Sequence, residues 1–161
     1  MRTYTKVMTI IGELFLVAEA DKLAVIHLGE EDFLTNERLD QVIYQPEHSA
    51  LVECSKQLTE YFEGTRQQFD LPLAMVGTDF QKSVWQQLTL IPFGETRSYL
   101  DIAQSIGNPK AVRAIGQANK ANRYPIIIPC HRVIGKNQSL TGYAGTRVDL
   151  KEKLLHLEGA L

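Results

Sequence analysis

The sequence predicts an α+β protein in two parts. Residues 1–77 read as a small N-terminal α/β domain with an antiparallel sheet, and residues 78–161 as a mostly helical C-terminal domain with a helix-turn-helix, winged-helix-like in form. Three observations predict this. Short β-patterned runs separated by turn residues fill the first 30 positions. From Asp79 onward helix start and stop signals follow one another, and Gly107-Asn108-Pro109 separates two short helical stretches. Charge divides along the same line. Through Asp79 there are 6 Lys+Arg against 14 Asp+Glu, a net of −8; from Phe80 there are 11 against 5, a net of +6, together the −2 of the whole chain. An acidic part joined to a basic one suits a protein that meets a polyanion through its basic half.

The N-terminal elements follow in order. Thr3, Thr5 and Val7 alternate with Tyr4, Lys6 and Met8, and the runs Glu13–Ala18 and Lys22–His27 are further strands. Gly12 and Asp21-Lys22 supply the turns, so an antiparallel meander with one covered face is expected. Glu30 to Glu37 is acidic and reads as a loop. Leu51, Leu58, Tyr61 and Phe62 recur at helical spacing between His48 and Phe62, with Gly64 as the stop. Cys54 belongs to that apolar stripe and reads as core. The stretch from Leu71-Pro72-Leu73 to Gly77 is a connection.

In the second part, Asp79 can cap a helix over Phe80–Leu90 that buries Val84, Trp85 and Leu88, and Pro92-Phe93-Gly94 ends it. Ser98 caps a short helix over Tyr99–Ile106. Gly107 closes it, Asn108 caps the next helix, and Pro109 fits that helix's first turn, with Lys110 at its start. On this second helix Lys110, Arg113, Ala114, Gln117 and Ala121 share a cationic, small-residue face, while Val112, Ile115, Asn119 and Asn122 share another. Charges that meet phosphates beside alanines that let the backbone come close point to DNA binding.

The densest chemistry follows. The β-branched run Ile126-Ile127-Ile128, bounded by Pro125 and Pro129, reads as extended and packed, and delivers Cys130-His131-Arg132-Val133. A thiolate is a nucleophile, and neighbouring cations favour it. Thr141–Gly145 is a loop carrying Tyr143. Thr146 can cap a last helix over Arg147–Glu158, with Leu150, Leu154 and Leu157 as its core face and Gly159 as its stop. Glu158 is badly placed for the helix dipole, which prefers cations at that end; such a carboxylate invites another role.

Composition sets further bounds. No apolar run approaches the roughly 18 residues of a membrane span, and no basic-then-apolar N-terminal segment resembles a secretory signal. Cys54 and Cys130 make no disulfide framework and no Cys-x-x-Cys pair, which favours a reducing, cytoplasmic setting.

The span Gly94–Gly159 resembles the C-terminal domain of the O6-alkylguanine-DNA alkyltransferases. The resemblance rests on Ser98-Tyr99, on Gly107-Asn108-Pro109-Lys110-Ala111-Val112-Arg113-Ala114-Ile115-Gly116, on Asn122, on Pro125-Ile126-Ile127-Ile128-Pro129-Cys130-His131-Arg132-Val133, on Tyr143-Ala144-Gly145, and on Lys151-Glu152 with Glu158-Gly159. It implies direct DNA repair. An alkyl group passes irreversibly and once per molecule from O6-alkylguanine, with O4-alkylthymine left open, to Cys130 after the nucleotide is flipped out. His131 would act as base through a water and Glu158 would orient it, in the logic of a catalytic triad. Asn122 would tie the recognition helix to the cysteine segment. Tyr99 would press on the 3′ phosphate and donate a proton toward the guanine. Arg113 would fill the gap in the base stack. Ala114 and Gly116 would allow close approach at the minor groove, Ala111 and Gln117 would join them at the DNA, Lys110, Lys120 and Arg132 would face phosphates unless Arg132 is instead tied up within the fold, and Pro125, Tyr143, Ala144 and Gly145 would line the substrate pocket. Residues 78–161 would then hold both DNA binding and chemistry, and residues 1–77 a structural role.

No cofactor is implied, and the partner is double-stranded DNA bearing alkylated bases, without a membrane. The protein is expected to be a monomer, with cooperativity on DNA left open. Ala144 stands where the family often has a hydroxyl. Metal ligation through N-terminal Cys and His has only Cys54, His27 and His48 to draw on here, so no structural zinc is expected. Two other readings compete. Alkyltransferase-like damage-binding proteins lack the cysteine, so Cys130 argues against that class. A cysteine hydrolase leaves the helix-turn-helix unexplained and takes its Cys and His from separate segments.

Overall fold

The computed structural model describes residues 1–135 and 148–161. They form two compact units, Met1–Met75 and Val76–Leu161.

In the first unit β1 (Arg2–Thr9), β2 (Gly12–Glu19) and β3 (Lys22–Leu28) form the expected antiparallel meander, paired Arg2 with Glu19 and Leu14 with Leu28. Two features differ from the sequence reading. The acidic run is a helix, α1 (Glu30–Asn36), not a loop. Its first turn holds Glu30, Glu31 and Asp32, where carboxylates are favoured by the dipole, and the Asp32 carboxylate accepts from the Leu28 N–H at 2.9 Å. A fourth strand, β4 (Val42–Tyr44), joins the sheet edge parallel to β1, giving the order β3-β2-β1-β4. Consequently the central strand is covered on both faces. Phe15 and Val17 pack with Phe33 of α1 and Val42, the Phe15 and Phe33 rings 4.5 Å apart. α2 (Ser49–Phe62) buries Leu51, Cys54, Leu58 and Tyr61 against β1–β3. His48 caps it, Nδ1 accepting from the Ala50 N–H.

Among its described residues the regular elements of the second unit are helices and one pair of two-residue strands. α3 (Asp79–Thr89) buries Val84, Trp85 and Leu88 as expected, but its cap is Thr78. Thr78 forms a capping box with Gln81, which satisfies two backbone donors where Asp79 would satisfy one. β5 (Arg97–Ser98) leads into α4 (Tyr99–Ser105), capped by Ser98 in a box with Asp101. Gly107 at φ 79° ends α4: its N–H bonds Gln104 O while the Asn108 N–H bonds Ala103 O, a Schellman closure that needs a left-handed residue.

α5 (Val112–Lys120) begins two residues later than predicted, with Ala111 and not Asn108 at its cap position. Asn108–Ala111 is instead a tight turn closed by the Ala111 N–H on Asn108 O, with Pro109 fixing its shape. The Trp85 indole donates to Ala118 O at 2.8 Å and locks α5 onto α3. A Cβ on Gly77 would lie 2.7 Å from that indole, so the backbone before α3 runs flat against the ring. β6 (Val133–Ile134) pairs parallel with β5, and α6 (Val148–Leu157) buries Leu150, Lys151, Leu154 and Leu155. Leu155 thus takes the place predicted for Leu157. The expected Thr146 cap, Arg147 and the Thr141–Gly145 loop lie outside the described residues. No helix of the described residues is long and apolar enough to cross a membrane.

Candidate active site

The segment before Cys130 is not extended. The Asn122 side chain organises it: Oδ1 accepts from the Tyr124 N–H and Nδ2 donates to Ile128 O, each at 2.9 Å. The Ile128 N–H closes on Tyr124 O, and Ile126 is forced to φ 76°. A β-branched residue there costs on the order of 1–3 kcal/mol, so packing of the buried Ile126 and Ile128 must offset it. The local asparagine bonds override the β propensity of the isoleucines. Cys130 then opens a 3-10 turn, Cys130–Arg132, that runs into β6. Arg97 pairs with Val133 and Ser98 with Ile134 in parallel, so Tyr99 opens α4 one residue past that pair, with Lys151 Nζ 6.0 Å from its ring centroid.

His131 is fully buried, and its Nε2 lies 2.7 Å from Glu158 Oε2. Glu158 follows α6 and is itself buried; Gly159 at φ 75° turns the chain away behind it. With Nε2–H donating to the carboxylate, Nδ1 is the nitrogen that takes up a proton. Arg132 was expected on DNA phosphates, and this expectation is corrected. Its guanidinium is buried, with Nε on Glu158 Oε1 at 2.8 Å, Nη2 on Oε2 at 2.9 Å and Nη1 on Ile91 O at 2.7 Å, above the Phe93 ring. A bidentate buried partner is worth more to a guanidinium than a solvated phosphate, and the clamp fixes both oxygens of Glu158.

Burial pushes the Cys130 thiol up to about 11, against the Asn122 hydrogen bond and the Lys151 charge, which pull it down. Burial holds His131 below its ordinary value, against the Glu158 hydrogen bond that raises it. At neutral pH the site therefore keeps its proton on sulfur and an unprotonated imidazole on the next residue. Such a thiol reacts when its proton is removed as the new bond forms. Cys54, pushed up to about 12 by burial alone, has no such neighbours among the causes acting on it.

Two residues that the sequence left without a role belong to the site. Lys151 is completely buried, donates to Val133 O and lies 6.0 Å from the Tyr99 ring centroid; burial lowers it to about 8. A lysine between Leu150 and Leu154 on the apolar face of α6 was the signal available. Asn119 is 5% exposed and donates through Nδ2 to Cys130 O at 3.3 Å. In the sequence it shared the second face of that helix with Val112, Ile115 and Asn122, without a role.

The outer face of α5 presents Arg113, Ala114, Gln117 and Lys120, with Lys110 exposed in the preceding turn, Ala111 half-buried and open space around Gly116. On the other face Ile115 and Asn119 are buried together with Ala118, while Val112, which opens the helix, is 39% exposed. Pro125 is buried; Tyr143, Ala144 and Gly145 lie outside the described residues. Among the described residues no group of three His, Cys, Asp or Glu side chains is gathered for a metal. His27 is bonded to Glu37 and His48 caps α2.

Fold and site together define a helix-turn-helix unit that holds a buried cysteine beside a histidine–glutamate pair, preceded by a small sheet domain. Two family models match: the DNA binding domain of 6-O-methylguanine DNA methyltransferase over residues 79–160, and its ribonuclease-like domain over residues 3–75. The chain belongs to the 6-O-methylguanine DNA methyltransferase family. It is 50% identical over 158 residues to the constitutive methylated-DNA–protein-cysteine methyltransferase of Bacillus subtilis, covering 98% of this chain and 96% of that one. It is 59% identical over 108 residues to a methylated-DNA–protein-cysteine methyltransferase of Methanosarcina acetivorans, covering 67% and 69%. A crystal structure of Mycobacterium tuberculosis OGT in complex with DNA superposes with a TM-score of 0.86 at 41% identity, covering 98% of this chain and 93% of that one.

Proposed function

We propose that this chain repairs DNA directly, by transferring an alkyl group from O6-alkylguanine to Cys130. The observation that carries the reading is the buried His131–Glu158–Arg132 cluster, whose His131 directly follows Cys130, on a helix-turn-helix unit of this family. The Cys130 Sγ–carbon bond forms as the carbon–O6 bond breaks, and that electron pair stays on the guanine oxygen. His131 takes the thiol proton through a water, and Tyr99 supplies one to the guanine; solvent exchange later restores both. A thioether is not displaced under these conditions, so each molecule acts once.

The exposed, small and cationic face of α5 supports contact with duplex DNA at the minor groove, with Arg113 taking the place of the extruded base. Lys110 and Lys120 meet phosphates, while Ala114 and Gly116 allow close approach. Pro125 lines the substrate pocket. O4-alkylthymine is a candidate second substrate, and a monomer in the cytoplasm is the working state. Residues 1–77 serve a structural role. The test is a Cys130→Ser variant given duplex DNA with one O6-methylguanine. Lesion binding is expected to persist while transfer disappears; demethylation by this variant would overturn the reading.

A further inference from the structure

The proposed reaction needs a path for the thiol proton, and α5 reaches that path through a residue outside the DNA-facing surface. Asn119 is 5% exposed, and its Nδ2 donates to the Cys130 carbonyl. The opposite amide orientation would set two acceptors against each other, so Oδ1 points away from that carbonyl. Oδ1 is buried and has no hydrogen-bond partner among the described residues. A buried amide oxygen without a protein donor is satisfied by ordered water. Cys130 and His131 are consecutive residues of the turn that Asn119 holds, and His131 already spends Nε2 on Glu158.

We propose that Asn119 is a positioning residue of the transfer site: its amide nitrogen fixes the Cys130 backbone, and its oxygen holds the water that carries the Cys130 proton to His131 Nδ1. This rests on the reading above in which Cys130 accepts the alkyl group and His131 is the base. The water receives the thiol proton as it gives one to Nδ1, so it is unchanged at the end. The sulfur electron pair becomes the new bond to carbon, and guanine O6 leaves with the pair of the old one. Among the described residues the ionisable and charged groups around this path are Cys130, His131 and Arg132 from the turn, Lys151 and Glu158 from α6 and its end, and Tyr99 from α4. Asn119 itself does not titrate, so a pH effect of replacing it reports on its neighbours.

The test uses the full chain and free O6-benzylguanine, which needs neither DNA nor base extrusion. S-benzylation of Cys130 is followed by intact mass across a pH series for the wild type, Asn119→Leu, Asn119→Asp, His131→Gln and the double variant Asn119→Leu/His131→Gln. The folded fraction is read from Trp85 fluorescence, since that indole bonds α5 at Ala118. Asn119→Leu is expected to slow the reaction about a hundredfold at neutral pH, within the range of general acid–base effects. The deficit shrinks as pH rises toward ionisation of the thiol, because hydroxide then removes the proton without a relay. In the His131→Gln background the same substitution adds little, since both break one path. Asn119→Asp keeps an oxygen and recovers part of the rate, with a new pH transition from its carboxyl. Equal loss at every pH, or losses that multiply in the double variant, overturn the relay. If Asn119→Leu does not fold, Asn119→Asp decides, and a wild-type pH profile there overturns it. A wild-type rate for His131→Gln defeats the base assignment and the relay together; a slow His131→Gln beside an unaffected Asn119→Leu defeats the relay alone.

Discussion

Each unit of the molecule contains a His–Glu–Arg cluster of nearly the same geometry. In the N-terminal unit His27 Nε2 meets Glu37 Oε2 at 2.7 Å, and Arg2 grips the same carboxylate through Nε at 3.0 Å and Nη2 at 2.7 Å. In the C-terminal unit the corresponding distances are 2.7 Å for His131 to Glu158 and 2.8 and 2.9 Å for Arg132. The surroundings differ. His27 has a second carboxylate, Asp32, 3.6 Å from Nδ1, and Arg2 is 30% exposed and shared with Glu19. His131 instead feels the charges of Arg132 and Lys151, which add to burial in keeping it neutral, and it adjoins a thiol. A carboxylate–imidazole–guanidinium cluster is thus a fastener by default. In the proposed reaction the second cluster serves as a base, because cations and burial disfavour the protonated imidazole beside a group that must lose a proton.

Paired carboxylate substitutions break this comparison most strongly. Glu158→Gln is expected to slow alkyl transfer by about 10²–10⁴-fold, the range of a lost general base, and to destabilise its unit by leaving Arg132 buried without a counter-charge. Glu37→Gln should lower stability by about 1–3 kcal/mol, reduced because Arg2 can rehydrate, and leave the rate per folded molecule unchanged. Transfer kinetics beside thermal melts decide this, and a slow Glu37→Gln would erase the distinction between the clusters.

The sequence showed one cluster and hid the other. Cys130, His131 and Arg132 are contiguous and a carboxylate at a helix C-terminus is conspicuous, but only the family resemblance joined Glu158 to His131, a contact the structure makes at 2.7 Å. Arg2, His27 and Glu37 come from β1, β3 and the end of α1, and only long-range sheet pairing assembles them. Arg132 misled for the same reason. An arginine in a basic half reads as a phosphate ligand until the distant Glu158 and Ile91 O are seen to surround it. Local competition accounts for other misses. Three isoleucines read as extended, yet Asn122 bonds on both sides bend them into a turn. The acidic run read as loop, yet Phe33 anchors it as a helix over the sheet.

A smaller effect separates DNA handling from chemistry within the C-terminal unit. Arg113→Ala should impair repair in duplex DNA far more than reaction with free O6-benzylguanine, because an unstacking cost of a few kcal/mol is then uncompensated. Parallel rates on the two substrates check this, and equal losses would move Arg113 into the chemistry.

Acid should separate the two units more gently. His131 is lowered from an ordinary 6.5, so the unfolded chain takes its proton first. The stability it contributes is complete above about pH 6.5 and declines as pH falls through the folded value, by at most about 1.4 kcal/mol per pH unit. Glu37 is also lowered, from 4.5: burial alone would raise it, but the Arg2 and His27 hydrogen bonds outweigh that, so its loss begins only in the more acidic window. Trp85, the single tryptophan, lies in the C-terminal unit and should report the earlier loss in a pH series of melts.

Each unit also holds one cysteine, and the most direct measurement asks which of them carries the alkyl group. The chain is mixed with excess duplex bearing O6-methylguanine, and intact and peptide masses are followed to completion. One methyl group per chain, on the Cys130 peptide, with Cys54 unmodified and no further repair, is the predicted result. Methyl on Cys54, or repair of many duplexes per chain, would contradict the account.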